Sequence, residues 1–315
     1  MNKKILIIGG QGFIGLHLIK KLVALKENVT ILDLPKSNNQ KNTDFLKKTK
    51  MLQGSVTDFE SIKKNVKGKD YIINLAAIIN RSATINNPFC DLDVNCKGQL
   101  TVLEACRRVN NTATIIWLGS RSQFGKIDQK IKINEHHSQK PVSLYGIHKQ
   151  TGENYCKFYT KAYGLNTIVL RPSSVYGPPI VGENNTNIIN LFIKKALDDN
   201  ILTTINGGTD YKDYLYVEDL VDAIIALIKK DVKKGAFNVG SSKSVKLVDI
   251  FNLIISQCGR GRIKNIQKSK HQLRYDEGNT YMDITKIKKA TGWHPKIVIK
   301  KGIHKTINYY KGGIK

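Results

Sequence analysis

The sequence predicts an α/β fold, a doubly wound parallel sheet followed by a smaller domain, and three observations carry it. A short apolar run, Ile5 to Ile8, leads into Gly9-Gly10-Gln11-Gly12-Phe13-Ile14-Gly15 and then Leu16-His17-Leu18-Ile19, which reads as a strand, a glycine turn and a helix start. Apolar runs and helical periodicities then alternate through residue 170, the pattern of successive βα units. Beyond residue 172 the alternation loosens, with neither an internal repeat nor a low-complexity linker.

Taken in order, residues 14 to 25 read as a helix, with apolar positions at 14, 18, 19, 22, 23 and 25. Val29 to Asp33 is the second strand, and residues 35 to 50 are a polar, Lys- and Asn-rich loop holding a short helix. Lys50 to Gln53 is a third, weaker strand and Asp70 to Leu75 a strong fourth. Small residues follow it, Ala76-Ala77, where a ligand can lie close. Asp91 to Val109 is a helix, Thr114 to Leu118 a buried strand ending in Gly119-Ser120, Leu144 to Tyr163 a helix, and Thr167 to Leu170 a strand stopped by Arg171-Pro172. Tyr176 to Pro179 is a turn, Ile188 to Leu197 a helix, and Leu215 to Val217 a strand entering a helix over Glu218 to Lys229. Ala236 to Val239 is a strand, Val245 to Gln257 a helix and Gly259 to Arg262 a turn. The expected division is a dinucleotide-binding domain over 1–172, with segments returning to it near 213–240, and a substrate-binding cap made mainly of 173–315.

The glycine turn has a physical reading. Gly9 permits the tight turn, Gly12 lets backbone N–H groups approach a pyrophosphate, and Gly15 lets the helix pack on the strand. The positive end of the helix dipole then faces the phosphates. Asp33 closes the second strand, where a carboxylate binds the ribose 2′-hydroxyl and repels a 2′-phosphate, which favours NAD over NADP.

Composition bounds the rest. The 315 residues, 41% hydrophobic, hold one large α/β unit or a domain with a smaller cap. No apolar run approaches the ~20 residues of a bilayer span. Met1 to Ile5 resembles the charged start of a signal sequence, but the apolar run ends at Gly9, so a cytoplasmic protein without a membrane partner is expected. The five cysteines include no CxxC pair and no histidine at zinc spacing, so reduced thiols and no metal site are expected. The net charge is +26, from 51 Lys and Arg against 25 Asp and Glu. Its lysine pairs are scattered over expected helix ends, without an aromatic-interleaved stripe, which argues for a solvated surface rather than a nucleic-acid partner. Such a field also suits an anionic small substrate.

Tyr145-Gly146-Ile147-His148-Lys149 sets a phenol and an ammonium on one helix face. A free phenol has a pKa near ~10, and a neighbouring cation lowers it towards useful basicity. Ser120, at a strand end, is expected to share the same substrate hydroxyl.

With these segments in view, the chain resembles the extended short-chain dehydrogenase/reductases of the nucleotide-sugar epimerase/dehydratase group. The matches are GGQGFIG at 9–15, Asp33, NLAA at 74–77, VNCKGQLTVLEAC at 94–106, SRSQFG at 120–125, YGIHK at 145–149, RPSSVYGPP at 171–179, KDYLYVEDLVDAI at 212–224, FNVG at 237–240 and DITKIKKATGWHP at 283–295. The resemblance implies a Rossmann-type fold and bound NAD. It places Gly9, Gly12, Phe13, Ile14 and Gly15 at the pyrophosphate, Asp33 at the ribose, Ser55 and Val56 at adenine, and Leu75, Ala76, Ala77 and Asn95 along the cofactor. Pro172 and Val175 then pass the nicotinamide. Tyr145 becomes the acid/base, Lys149 its tuner and ribose contact, and Ser120 its hydroxyl partner. Arg121, Ser122, Ser174, Lys212 and Arg274 fall on the substrate side. A homodimer through the helices at 91–109 and 144–163 is implied too.

Departures accompany the matches. Ser55 stands where relatives carry an adenine-reading Asp, Asn74 replaces a His, Ser174 an Asn and Lys212 an Arg, the last without a bidentate fork. Arg121-Ser122 stands where the 4,6-dehydratases carry Asp-Glu, which argues against water elimination. The expected activity is epimerisation of a nucleotide-diphosphate sugar: proton removal by Tyr145 from a hydroxyl at C4, hydride transfer to NAD, rotation of the keto sugar and return of the hydride to its other face. The alternatives are a one-way NAD(P)H-dependent reductase of a nucleotide-linked 4-keto-6-deoxy sugar and an NAD-sensing regulator without catalysis, which the intact Ser120, Tyr145 and Lys149 count against.

Overall fold

Strand β1 (Lys4–Ile8) shows why this sheet is covered on both faces. Successive side chains alternate sides, so Ile5 and Ile7 enter one hydrophobic cluster and Leu6 and Ile8 another. In the computed structural model, which describes residues 2–35, 44–79, 87–128, 130–180, 187–267 and 276–312, β1 pairs in parallel with β2 (Asn28–Asp33) and β4 (Tyr71–Asn74), with Ile7 opposite both Ile31 and Ile73. With β3 (Lys50–Gln53), β5 (Thr114–Leu118), β6 (Asn166–Pro172) and β11 (Gly235–Val239) they form one seven-stranded parallel sheet in the order β11-β6-β5-β4-β1-β2-β3. The order reverses between β1 and β4, which opens a crevice at the carboxyl ends of those strands.

Helix α1 (Phe13–Ala24) covers one face of the sheet, and α2 (Phe59–Val66) supplies Ile62 and Val66 to the other. The next helix, α3, is continuous through Pro88–Asp91, a π-helical stretch Leu92–Lys97 and Gly98–Val109. It packs with α4 (Leu144–Tyr163) on the same side as α2. Three helices end in the expected lysine pairs or beside them, where cations oppose the negative end of the dipole: Lys63-Lys64 in α2, Lys194-Lys195 in α5 (Ile188–Leu197), and Lys229 in α6 (Val217–Lys229).

A third cluster, separate from both faces, unites Phe192 of α5 with Phe251 of α7 (Leu247–Cys258) and with Tyr176, Tyr214 and Tyr216. The tyrosines come from β7 (Ser174–Tyr176) and β10 (Tyr214–Tyr216), which pair with each other. So β10, within the stretch read as returning near 213–240, pairs with β7, while α6 packs on the core of the first sheet and β11 joins its edge. Strands β8 (Ile201–Ile205) and β13 (Arg262–Ile266) pair in parallel, while β9 (Tyr211–Lys212) and β12 (Val245–Lys246) pair antiparallel. The helix expected from 245 therefore starts at Leu247, and the turn at 259–262 runs on into a strand. Two further helices had no sequence expectation, α8 (Thr285–Thr291) and α9 (Ile299–Gly312). The GWHP segment between them is tied to α6: Trp293 Nε1 donates to the Asp219 carbonyl, and the Asp219 carboxylate accepts from the Lys296 and Ile297 amides.

Helix α4 lies hard against β5. A methyl group on Gly152 would stand 2.5 Å from the indole of buried Trp117, so only glycine permits this approach. Alanine in a helix interior ordinarily stabilises by about 0.5–1 kcal/mol. Gly152→Ala is expected to reverse that sign and destabilise by about 1–3 kcal/mol, measured as a lower urea midpoint.

Candidate active site

Five segments end at one edge of the sheet: the glycine turn after β1, Asp33 at the end of β2, Leu75-Ala76 after β4, Ser120 after β5 and Pro172 in β6. Two adjoining cavities share Gly9, Gly12, Leu75, Ala77 and Ile78. The larger, about 570 Å³, carries Phe13, Ile14, Gly15, Ser120, Tyr145, Lys149, Pro172 and Val175 on its walls. The smaller, about 350 Å³, is lined by Asp33, Ser55, Val56 and Ala76.

The turn between them has the shape of a phosphate cradle. Gly9 has φ +74°, and a Cβ there would lie 2.6 Å from the Ala76 amide nitrogen. Gly12 precedes α1 without a side-chain cap, and the first turn of α1 carries no acidic residue. Asp33 Oδ2 accepts from the Gln11 amide at 2.7 Å and Oδ1 from the Leu34 amide at 2.8 Å, which locks the carboxylate to the glycine turn. A cleft with an uncapped helix end at its middle, an anchored carboxylate at one end and an ionisable cluster at the other fits a dinucleotide.

At the reacting end, Ser120 caps a 3-10 turn, Arg121–Phe124, and its Oγ accepts from the Ser122 amide at 3.1 Å. The Tyr145 phenol lies near the same hydroxyl on the cavity wall. Burial pushes Tyr145 up to about 12. Ser120 opposes this, and the charges of Glu277 and Asp91 add to it. Burial likewise pushes Lys149 down to about 8, opposed by Asp91 and Cys96. Lys149 Nζ donates to the Leu118 carbonyl at 2.8 Å, 4.7 Å from the Trp117 ring and 5.8 Å from the Tyr145 ring centre. The ammonium is held against β5, and among the influences on Tyr145 desolvation of the phenol prevails.

Other expected residues lie behind the walls. Asn95 Nδ2 donates to the Ile78 carbonyl at 2.9 Å and its Oδ1 accepts from the Ile78 amide at 3.2 Å, so it holds the cavity lining without forming it. Asn95 also donates to Asp91, whose Oδ1 pairs with His148 Nδ1 at 2.9 Å. Ser55 Oγ is engaged by Thr57, 2.8 Å from its hydroxyl. Asn74 accepts from the Ala76 amide at 3.1 Å. Ser122 is buried beside Ser120, and Ser174 donates its amide to the Asp213 carbonyl at 3.1 Å. Arg121 turns away from the cavity: Nη1 meets Glu277 Oε2 at 2.5 Å, and Nη2 reaches the carbonyls of Gly125, Glu277 and Asn279. Lys212 donates to the Gly278 carbonyl and pairs with Asp210 at 3.6 Å. Asn95, Arg121, Ser122, Ser174 and Lys212 line neither cavity, and Arg274 lies outside the described residues. Among the described residues no cluster of His, Cys, Asp and Glu could hold a metal, and no helix is long and apolar enough to cross a membrane.

Sequence reasoning passed over the residues that support this site. Asp91, Gln123, Glu153 and Asp213 are each buried and multiply bonded. Only Glu153 carried a readable signal, eight residues after Tyr145 on the same helix face. Asp213 collects bonds from Ser173, Ser241 and the Met282 amide, yet burial still lifts its carboxyl to about 6. An unfolded Asp releases its proton near ~3.9, so this group's stabilisation is complete below that pH and is lost as pH rises through 6. Between pH 5 and 7 the wild type is expected to lose about 1 kcal/mol relative to Asp213→Asn, read from paired urea titrations.

Residues 5–240 match the family described as the NAD dependent epimerase/dehydratase family. A Methanocaldococcus jannaschii protein provisionally named UDP-glucose 4-epimerase is 31% identical over 98% of both chains. CDP-paratose 2-epimerase of Salmonella typhi is 28% identical over 97% of this chain and 98% of its own. The crystal structure of Thermotoga maritima UDP-glucose 4-epimerase with UDP-glucose superimposes with a TM-score of 0.83, at 25% identity and 99% coverage of both chains. The cleft and these relatives agree, and the chain belongs to the NAD-dependent epimerase/dehydratase family of enzymes.

Proposed function

We propose that the protein is an epimerase of a nucleoside-diphosphate sugar that oxidises a ring hydroxyl at C4 transiently. The observation that carries this is the meeting of Ser120, Tyr145 and Lys149 on one wall of a cavity whose other walls are the glycine turn, Pro172 and Val175. Bound NAD+ supplies the electron-pair acceptor and, once reduced, the donor that returns it. Glycines 9, 12 and 15 with Phe13 and Ile14 hold its pyrophosphate, Asp33 its adenosine ribose, and Lys149 the ribose at the other end.

The chain's own groups manage the proton. Ser120 Oγ and Tyr145 OH, on one wall of the cavity, converge on the substrate hydroxyl. Tyr145 takes that proton as the ring carbon is oxidised and gives it back as the carbon is reduced. A phenol raised to about 12 needs positive charge beside it to serve as a base, and Lys149 together with an oxidised nicotinamide provides that charge. Lys212 and Arg274 are read as contacts for the substrate diphosphate. Residues 1–172 with β11 are read as the cofactor-binding domain, and most of 173–315 as the substrate cap.

Two copies are proposed to pair through α3 and α4, where Phe89, Phe158 and Tyr163 lie exposed. Ser174 and Lys212, which depart from family-typical substrate contacts, favour a second reading as a one-way reductase of a 4-keto sugar. Incubation with UDP-, GDP-, CDP- and dTDP-sugars, including 4-keto forms, separates the two. Epimerisation is expected to change product stereochemistry with no net change in nicotinamide absorbance. Stoichiometric loss of NAD(P)H on a 4-keto sugar would sink it. Tyr145→Phe is expected to lower kcat by about 10³-fold with NAD affinity nearly unchanged, measured by turnover and by cofactor titration.

A further inference from the structure

The Ser120 hydroxyl is carried by a short turn, and that turn is anchored from beneath. Gln123 bonds in two directions. Its Oε1 accepts from the Ser120 amide at 2.7 Å, and its Nε2 donates to Glu153 Oε2, also at 2.7 Å. Both side chains are fully buried. Arg171 grips the same carboxylate through two nitrogens, Nη2 on Oε1 at 2.5 Å and Nε on Oε2 at 2.8 Å, and Lys157 pairs with Oε1 at 2.7 Å. Burial by itself would raise the Glu153 carboxyl, but Arg171 and Lys157 outweigh it and hold the group at about 2, an anion at any working pH.

One carboxylate thereby joins three segments that meet at the reacting atoms. Glu153 lies on α4, one turn beyond Lys149 and two beyond Tyr145. Arg171 immediately precedes Pro172 and Ser173 of the cavity wall. Gln123 brings in the Ser120 turn. We propose that Gln123 is a positioning residue for the reaction, transmitting the fixed place of the buried Glu153–Arg171 pair to Ser120 so that its hydroxyl keeps its place on the cavity wall it shares with Tyr145. The kinetic part of this proposal rests on the epimerase reading above, while the anchoring itself does not.

The experiment uses the NAD-loaded, full-length enzyme and two variants. Gln123→Met keeps the length and removes both hydrogen bonds, together with a longer one from Nε2 to Gln139 Oε1 at 3.4 Å. A displacement near 1 Å at a reacting group lowers rate by about 10²-fold. The expected result is a 10- to 100-fold fall in kcat, nearly unchanged KM and NAD affinity, and faster amide exchange over residues 119–125. Gln123→Glu retains the acceptor for the Ser120 amide, and its protonated carboxyl donates to Glu153 as the amide did. It faces Glu153, Lys157 and Arg171, with Tyr145 on the far side of Ser120. Placed against an anion, it titrates above the ordinary carboxyl range. Its activity is therefore expected near wild type at low pH, falling on a limb the wild type lacks as both carboxylates ionise. Wild-type kcat and exchange in Gln123→Met would overturn the proposal, as would equal losses in kcat, NAD affinity and thermal stability. A pH profile of Gln123→Glu that superimposes on the wild type overturns it too, and decides the matter if Gln123→Met does not fold. If the wild type turns over no nucleotide sugar, the epimerase reading fails, and the exchange difference alone then decides whether Gln123 anchors the turn.

Discussion

The site depends first on how closely α4 approaches the sheet. Gly152 sits on the Trp117 indole, and a Cβ on Gly146 would fall 2.6 Å from the Ser122 carbonyl. Those two contacts, two turns apart, leave α4 little freedom to lift away or slide. Tyr145 and Lys149 occupy the face between them, so the phenol reaches Ser120 and the ammonium reaches the end of β5. Helix propensity alone disfavours both glycines. They are tolerated because the approach they permit brings Tyr145 and Lys149 against β5 and the Ser120 turn.

Closeness also sets the electrostatics. The reacting cluster lies in a low-dielectric wall, where an uncompensated charge is unfavourable and a compensated one is strongly held. Hence Tyr145 resists ionisation and Lys149 is pushed down to about 8, while Asp91, anchored by His148 and Asn95, keeps the ammonium from losing its proton more readily still. The same Asn95 that steadies Asp91 also pins Ile78 of the cofactor wall. A π-helical stretch, Leu92–Lys97, carries Asn95, and the widened turn aims its side chain inward.

The turn that follows Ser120 is arranged differently. Arg121, immediately after Ser120, is spent on Glu277 and three carbonyls, so the first residue of the turn is tied to the segment leading into α8. Glu277 in turn raises Tyr145. The pairing with Arg121 therefore tempers a carboxylate that would otherwise oppose formation of the phenolate.

Much of this was legible in the residues alone, because it is encoded over short distances. The glycine turn, Asp33 at a strand end, and Tyr145 and Lys149 four residues apart each follow from local geometry that any βα unit imposes. The parallel sheet followed from the alternation of strands and helices through residue 170. What stayed hidden were partners far apart in the chain: Arg121 with Glu277, Glu153 with Arg171 and Gln123, Asp213 with Ser241 and Met282. Nothing at Arg121 announces a carboxylate 156 residues away. So the sequence by itself determined the fold class, the cleft at the strand ends and the meeting of Ser120, Tyr145 and Lys149 there. Only the tertiary structure decided which of the expected residues face the cavity and which brace it, because burial and pairing of a charged side chain depend on which distant segment packs against it.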